Sequence, residues 1–590
     1  MIAVLHTENT KSRTFGWVQN PGDLRKLCNV VAVFDSNSCM HHRLKTEILP
    51  ALVSAENGLA DLIAALNMQP LKISYQHLVG TGRSVRATAP CDAIIQATVP
   101  GQGNKPFTDN WTADGFVRWA HCLGFIVYDY SDDTFEASEI GLKLSIARGD
   151  GEELNDDEKE IIIEAILSYP PAIRVLSLLA EEDAHLTKFE IGRQLGFIGE
   201  GGFTSMPQSL LVRSLSATTD SKERNKMRTD WEGSSDKYAR MIASWLTKLG
   251  LVEKVPKNVT VSLGAENYTA NIGQAYVLTA QGLSALRRAR GASRHRRISK
   301  TICCEMLATK GSDRDFLRTR RGLIVKVLSE HSGSVNTTEI IEVLAGYNID
   351  TTINTIYDDV QGLINIGLDI DIGANRENFR WRDKINDFVI PIRAGIMPSE
   401  NEQIKDELRN SITHLSHEYL SLVDLAYDGT QNRLFEMITI KLLTEECGFL
   451  GLHLGGSRKP DGIVYTASLA DNYGVIIDTK AYSGGYNLPI SQADEMQRYI
   501  QENQRRDGRE NPNMWWKNFS DDVCRFNFMF VSGHFKGEYQ TQIDRISHIT
   551  STPGTAVDIY ELLLIAESIK DRTCNLADAE NALFAYSGVS

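Results

Sequence analysis

One pattern recurs three times along the N-terminal part of this chain, and it restricts the fold more than any bulk property does. An amphipathic helix ends in a hydrophobic-Gly-hydrophobic step and runs directly into a strand. The first copy is Phe116–Ile126, around Leu123-Gly124-Phe125. The second is Tyr238–Val252, around Leu249-Gly250-Leu251. The third is Ile356–Ile370, around Ile366-Gly367-Leu368. A helix C-terminus favours a left-handed residue, and glycine takes that conformation without a Cβ clash. After each glycine come a strand, a polar turn (Ser131-Asp132-Asp133, Pro256-Lys257-Asn258, Gly373-Ala374-Asn375) and a return strand. Each copy is preceded by an earlier helix, for example over Thr187–Gly196. Helix, C-cap glycine and hairpin describe a winged helix-turn-helix, so three copies predict three small, mainly α domains of the DNA-binding type.

At 590 residues the chain exceeds what one core can organise, and its length suggests roughly three to five domains. No apolar run approaches a membrane span, and no charged n-region leads into a long apolar stretch. The nine cysteines are scattered, without Cys-x-x-Cys; only Cys303 and Cys304 adjoin. Reduced thiols in a cytoplasmic protein follow, and a zinc ribbon or redox dithiol does not. A net charge of −14 argues against indiscriminate coating of nucleic acid. Local distribution still matters. Arg287, Arg288, Arg290, Arg294, His295, Arg296, Arg297, Lys300, Arg314, Arg318, Arg320, Arg321 and Lys326 form a dense basic cluster, read as a phosphate-contacting patch.

Around Asp387–Ser399 two prolines and a glycine break regular structure, which predicts a linker. Beyond it the pattern changes. A long helix around Gln431–Cys447 precedes strands carrying Asp461 and Asp478; a helix over Ser491–Asn503 and an apolar strand over Phe526–Val531 follow. This is an α/β core. The expected division is therefore residues 1–150, 151–297 and 298–386 as three recognition subdomains, 387–398 as linker, and 399–590 as an α/β domain.

Pro460-Asp461, then Val475-Ile476-Ile477-Asp478-Thr479-Lys480, places two carboxylates and a lysine at the ends of two short strands. Side chains two apart on a strand share a face, so Lys480 accompanies Asp478. An acidic pair holds a hard divalent cation through oxygen. In such a site Asp461, Asp478 and the Thr479 backbone carbonyl ligate Mg²⁺, and Lys480 stabilises developing phosphate charge or orients the attacking water. Glu436, on the preceding helix, is read as a solvent-facing acid in preference to a further ligand. Arg458 and Lys459 are either phosphate grips or exposed turn cations. The absence of a Walker-type loop, a His-Glu-x-x-His run or a Gly-x-Ser-x-Gly elbow leaves other catalytic classes without support. Two function classes stay open: a metal-dependent endonuclease, and a winged-helix DNA-binding regulator with an inactive nuclease-like domain.

Four longer blocks are far more specific than these motifs: Arg13–Gly22, Trp231–Arg240, Leu454–Asp461 and Asp478–Ile490. In them, and in the same order along nearly the whole chain, the sequence resembles the FokI family of type IIS restriction endonucleases. That resemblance implies winged-helix recognition subdomains and a tethered PD-(D/E)xK domain. It implies Mg²⁺ as cofactor, with neither ATP nor S-adenosylmethionine. The substrate is double-stranded DNA bearing a short asymmetric site, GGATG or a close variant, cut in both strands at a fixed distance to one side. The family's catalytic residues fall on Asp461, Asp478 and Lys480. Its recognition residues fall on Gln19, Asn20, Arg86 and Trp111, and on Glu232, Lys237 and Arg240. Its dimer contact falls on Asp494 and Arg498, implying a monomer that dimerises transiently on DNA. A cognate DNA methyltransferase is the implied functional partner, and no membrane is involved. Where the family has asparagine just before Trp-Glu-Gly, this chain has Thr229-Asp230, which alters one expected recognition contact.

Overall fold

The computed structural model describes residues 2–9, 11–81, 89–263, 266–292, 296–467 and 470–584. By internal contacts the chain forms two compact units. The first comprises Met1–Phe197, Ser235–Lys257 and Gly273–Met397; the second comprises Ile198–Ser234, Asn258–Ile272 and Pro398–Ser590.

The first unit contains the threefold pattern. Its three helices are Asn110–Cys122, Ser234–Lys248 and Ile353–Asn365. The first and third start where Asp109 and Thr352 cap the exposed amides of the first turn. Each helix ends before a glycine with positive φ: 74° at Gly124, 73° at Gly250 and 106° at Gly367. A Cβ at Gly367 would lie 2.0 Å from the Pro170 carbonyl oxygen, so packing as well as conformation demands glycine there. Each copy closes with a three-stranded antiparallel sheet whose last strand lies in the middle. These central strands are Thr134–Ala137, Ala275–Leu278 and Asn378–Trp381. In the second copy the return strand is not the segment directly after the Pro256 turn. Lys257–Leu263 and Glu266–Ile272 pair with each other as a separate hairpin, and Ala275–Leu278 returns to Val252–Lys254. The helices of the first two copies meet through stacked Trp119 and Trp245, with ring centroids 4.9 Å apart.

Two sequence expectations change here. Four members of the basic cluster, Lys300, Arg318, Arg320 and Arg321, are internal. Arg320 and Arg321 are buried and both pair with Asp359, at 2.7 Å each. Burial opposes ionisation of Asp359, but the two guanidiniums outweigh it and hold the carboxyl below its usual range. Lys300 is buried on Asp383 at 2.7 Å, and Arg318 donates to the Ala308 carbonyl. These cations are spent on carboxylates and carbonyls inside the fold, so they form no phosphate-facing patch. Arg287, Arg290 and Arg296 remain on the surface, while Arg294 and His295 lie outside the described residues. The linker is also shorter than expected. Phe388–Ile392 is a strand, paired in parallel with Ile2–His6. Proline is tolerated at an edge because a free edge needs no further donor, which is how Pro391 fits this two-stranded sheet.

The second unit is built on a five-stranded mixed sheet. Its order is Leu450–His453, Gly462–Tyr465, Tyr473–Lys480, Arg525–Ser532, Gly554–Asp558. The first two junctions are antiparallel and the last two parallel. On one face Ile463, Ile476, Phe528 and Phe530 meet Ala493, Met496 and Ile500 of helix Ile490–Arg505, and Ile543 and Ile546 of helix Tyr539–Thr550. Helix Asn432–Lys441 packs against the first three strands. The segments Ile198–Ser234 and Asn258–Ile272 join this unit through specific contacts. Arg213 donates to the Gly451 carbonyl at 2.5 Å, Ser209 donates to Glu445 at 2.8 Å, and the Gly201 amide donates to Asp424 at 2.9 Å. Among the described residues no single helix is long and apolar enough to cross a membrane.

Candidate functional site

The loop leading to Asp461 turns through three residues of positive φ, Gly455, Gly456 and Arg458. It delivers Asp461 to the start of strand Gly462–Tyr465. In the ladder Gly462 pairs with Ile477, so Asp461 lies beside the end of the neighbouring strand that carries Asp478. The Thr479 amide and hydroxyl both donate to Asp461 Oδ2, at 2.7 and 3.0 Å. Lys480 Nζ lies 2.7 Å from Asp478 Oδ2. The three residues expected to act together are together, and the even strand spacing places Lys480 on the Asp478 face.

Burial pushes the Asp461 carboxyl well above the usual carboxylate range, and repulsion from Asp478 and Glu436 adds to this; Lys480 pulls the other way. Burial works to lower Lys480, but Asp478 and Asp461 outweigh it and hold the ammonium above its ordinary value.

Glu436 is not the solvent-facing acid expected from its helix position. Its side chain is 17% exposed, and Oε2 lies 2.7 Å from His453 Nε2. The helix carrying it comes close because Gly462 has no side chain: a Cβ there would lie 2.4 Å from Ile440 Cδ1. His453 escaped sequence reading. Its only signal was the inward phase of strand Leu450–His453, where Gly451 and His453 are buried. The indole of Trp231 stands edge-on to His453, with centroids 6.2 Å apart, and the Arg433 guanidinium lies 4.6 Å over the Trp231 ring. Arg458 is exposed and donates to the Glu510 carbonyl; Lys459 is half-buried.

Among the recognition candidates, Gln19 and Asn20 lie in the loop before helix Leu24–Ala32. Gln19 hydrogen-bonds the Tyr238 side chain, next in sequence to Lys237. Gly115 lets this loop approach helix Asn110–Cys122, since a Cβ there would lie 2.3 Å from the Asn20 carbonyl oxygen. Trp111, 54% exposed, stands in the first turn of the same helix. Lys237 and Arg240 are half-buried in the first half of helix Ser234–Lys248, and Glu232 is half-buried just before it. Arg86 lies outside the described residues. Asp494 and Arg498 do not pair along their helix. Asp494 bonds Arg545 at 2.7 Å, and Arg498 bonds Glu495 at 3.0 Å and approaches Glu502 at 3.7 Å.

Comparison with known proteins covers most of the chain. Family models of the FokI recognition domain match residues 13–147 (subdomain 1) and 158–291 (subdomain 2); the FokI D3 domain matches 307–375, and the FokI cleavage domain matches 398–589. The chain is 48% identical over 574 residues to the type II restriction enzyme FokI of Planomicrobium okeanokoites, covering 96% of this chain and 98% of that one. It is 31% identical over 600 residues to the type II restriction enzyme StsI of Streptococcus sanguinis, covering 99% and 97%. The solved structure of FokI matches with a TM-score of 0.90 at 46% identity, over 97% of this chain and 99% of that one. FokI bound to DNA matches with a TM-score of 0.91 at 47% identity, over the same 97% and 99%. Recognition and cleavage parts agree in sequence, order and fold along almost the full length, so the chain belongs to the FokI family of type II restriction endonucleases.

Proposed function

We propose that this enzyme is of type IIS: it reads a short asymmetric DNA site, GGATG or a close variant, and cuts both strands at a fixed distance outside it. The observation that carries the catalytic part is the cluster of Asp461, Asp478 and Lys480 on two neighbouring strands. The donor set fits a hard divalent cation. Two carboxylates adjoin, one driven toward protonation by burial and by the other, and Lys480 Nζ lies against Asp478. Asp461, Asp478 and the Thr479 carbonyl are the proposed ligands of Mg²⁺. When bound, Mg²⁺ supplies neutralising charge at the scissile phosphate and a more acidic water. The chain's own part is positional and electrostatic. The Thr479 amide and hydroxyl fix the Asp461 carboxylate. Lys480, steered by Asp478, donates to a phosphate oxygen or holds the attacking water, and stabilises charge that grows toward the transition state.

Recognition falls to three winged-helix subdomains, residues 1–150, 151–297 and 298–386, with cleavage by a PD-(D/E)xK domain over 399–590. The repeated strand, helix, helix and hairpin order supports this division. Arginine and lysine match guanine edges, asparagine and glutamine match adenine, and glutamate accepts from the cytosine amino group. Gln19, Asn20, Arg86 and Trp111 serve the first subdomain in this scheme; Glu232, Lys237 and Arg240 serve the second. The protein is a monomer that dimerises transiently on DNA through Asp494 and Arg498, and it works beside a cognate methyltransferase in a bacterial cytoplasm.

The test is digestion of plasmid DNA with and without Mg²⁺, followed by run-off sequencing of the ends. Discrete Mg²⁺-dependent fragments with a constant offset from one asymmetric motif are expected. Asp461→Ala, Asp478→Ala and Lys480→Ala should each nearly abolish cutting and leave the gel shift intact. A gel shift without fragments from the unmodified protein would return the regulator reading.

A further inference from the structure

We propose a second metal site in this protein, for zinc, held inside the first compact unit by His121, Cys303 and Glu305. A ring nitrogen of His121, the Cys303 sulfur and a Glu305 carboxylate oxygen all lie within 4.8 Å of one another. No motif announces this trio. Helix Asn110–Cys122 brings the histidine, and the turn at Cys304–Met306, before helix Arg314–Glu330, brings the other two.

Each member has unspent capacity. His121 Nδ1 lies 3.1 Å from the Ile126 carbonyl oxygen, which only accepts. Nδ1 therefore carries the proton and Nε2 presents a lone pair. That Nε2 is shut off from solvent and has no hydrogen-bond partner among the described residues. Phe15 and Phe135 wall the imidazole edge-on, at 5.5 and 5.9 Å. Glu305 is 3% exposed, and its one hydrogen bond among the described residues comes from the Tyr130 hydroxyl at 3.0 Å. One neutral donor under-compensates a buried carboxylate. Cys303 is buried and in no disulfide.

Imidazole nitrogen, thiolate and carboxylate form a mixed, borderline-soft set suited to Zn²⁺, whereas Mg²⁺ takes oxygen ligands. The charges close: Zn²⁺ with one thiolate, one carboxylate and a neutral imidazole is neutral overall. Binding transfers the Cys303 thiol proton to solvent and forms the Zn–S bond, with no redox change. The Ile126 carbonyl and the Tyr130 hydroxyl serve as orienting partners behind the ligands. A fourth position is left for water or for the second oxygen of Glu305. The bound ion ties the end of the first repeated helix to the segment that opens the third repeat.

The test uses the full chain without DNA. Protein purified without chelator is assayed for zinc by mass spectrometry, then stripped and reloaded with Co²⁺. We expect stoichiometric zinc and a near-ultraviolet thiolate-to-cobalt charge-transfer band. The band should persist in Asp478→Ala and Cys304→Ser and vanish in Cys303→Ser. Should Cys303→Ser fail to fold, Glu305→Gln provides the second variant, with zinc retention weakened at least about tenfold. EDTA should lower the melting temperature of the parent chain and leave that of Cys303→Ser unmoved. A parent chain that keeps no zinc and gives no band with cobalt, or a band that survives Cys303→Ser, overturns the site.

Discussion

The carboxyl of Asp461 sits where burial, Asp478 and Glu436 all resist its ionisation. An acid whose folded pKa is raised holds its proton more tightly in the native state than in the unfolded chain. The unfolded chain ionises first, so native stability falls as pH rises from about 4 through the folded value. Asp461→Asn removes that burden. The metal-free variant is expected to melt higher than the parent at neutral pH. The difference should vanish below about pH 4 and narrow when Mg²⁺ is added, because only the parent gains from binding. Calorimetry with and without Mg²⁺ checks this, and an unchanged or lowered melting temperature at neutral pH contradicts it. The same residue shows what sequence reading can reach. Asp461, Asp478 and Lys480 were legible because strand phase and a short hairpin register place them by local rules. The Glu436–His453 pair was not, because it depends on how closely one helix settles against a strand at Gly462.

At the scale of elements, Glu567 illustrates a single side chain holding a turn. It accepts from the amides of Thr413, His414 and Leu415 and from the His414 ring, joining this turn to helix Ile559–Lys570. Burial opposes the charge, but these donors prevail and bring the carboxyl from 4.5 down to about 2. Its contribution is present in full above the unfolded value of 4.5 and is lost as pH falls toward about 2. Glu567→Gln should cost about 1–3 kcal/mol at neutral pH and progressively less in acid, read from denaturant melts across pH. Gly115→Ala tests the loop that carries Gln19 and Asn20. Its new Cβ meets backbone, not a flexible side chain, so the loop must shift. Specific DNA binding should weaken by at least about tenfold in gel-shift titrations. Three helix-ending glycines made the repeated elements legible. The strand Phe388–Ile392 was hidden because its partner, Ile2–His6, lies at the far end of the chain. The second repeat's return strand was misplaced because a whole hairpin is inserted before it.

At the scale of the whole molecule, one centre of this kind serves one strand, so a double-strand cut calls for two. A two-fold contact would set Asp494 of each copy against Arg498 of the other. Within one chain Asp494 is 56% exposed and already shares Arg545. Asp494→Arg therefore places like charges against Arg545 as well as against a partner's Arg498. Asp494→Arg and Arg498→Asp should each cleave poorly alone and recover when mixed. Normal cutting by each alone, first order in protein across dilution, removes the dimer.

The boundary at Pro398 has a cost of its own. Strand Leu450–His453 is the outermost of its sheet, and the Gly451 carbonyl is satisfied by Arg213, from a segment far upstream. A nuclease fragment cut at the end of the linker keeps the strand and loses the guanidinium. At Gly451 a carbonyl on that margin loses its donor, and unpaired groups on an edge strand template pairing between identical chains. Arg213, which packs in the same compact unit as the sheet, thus guards that point of the edge against a second copy.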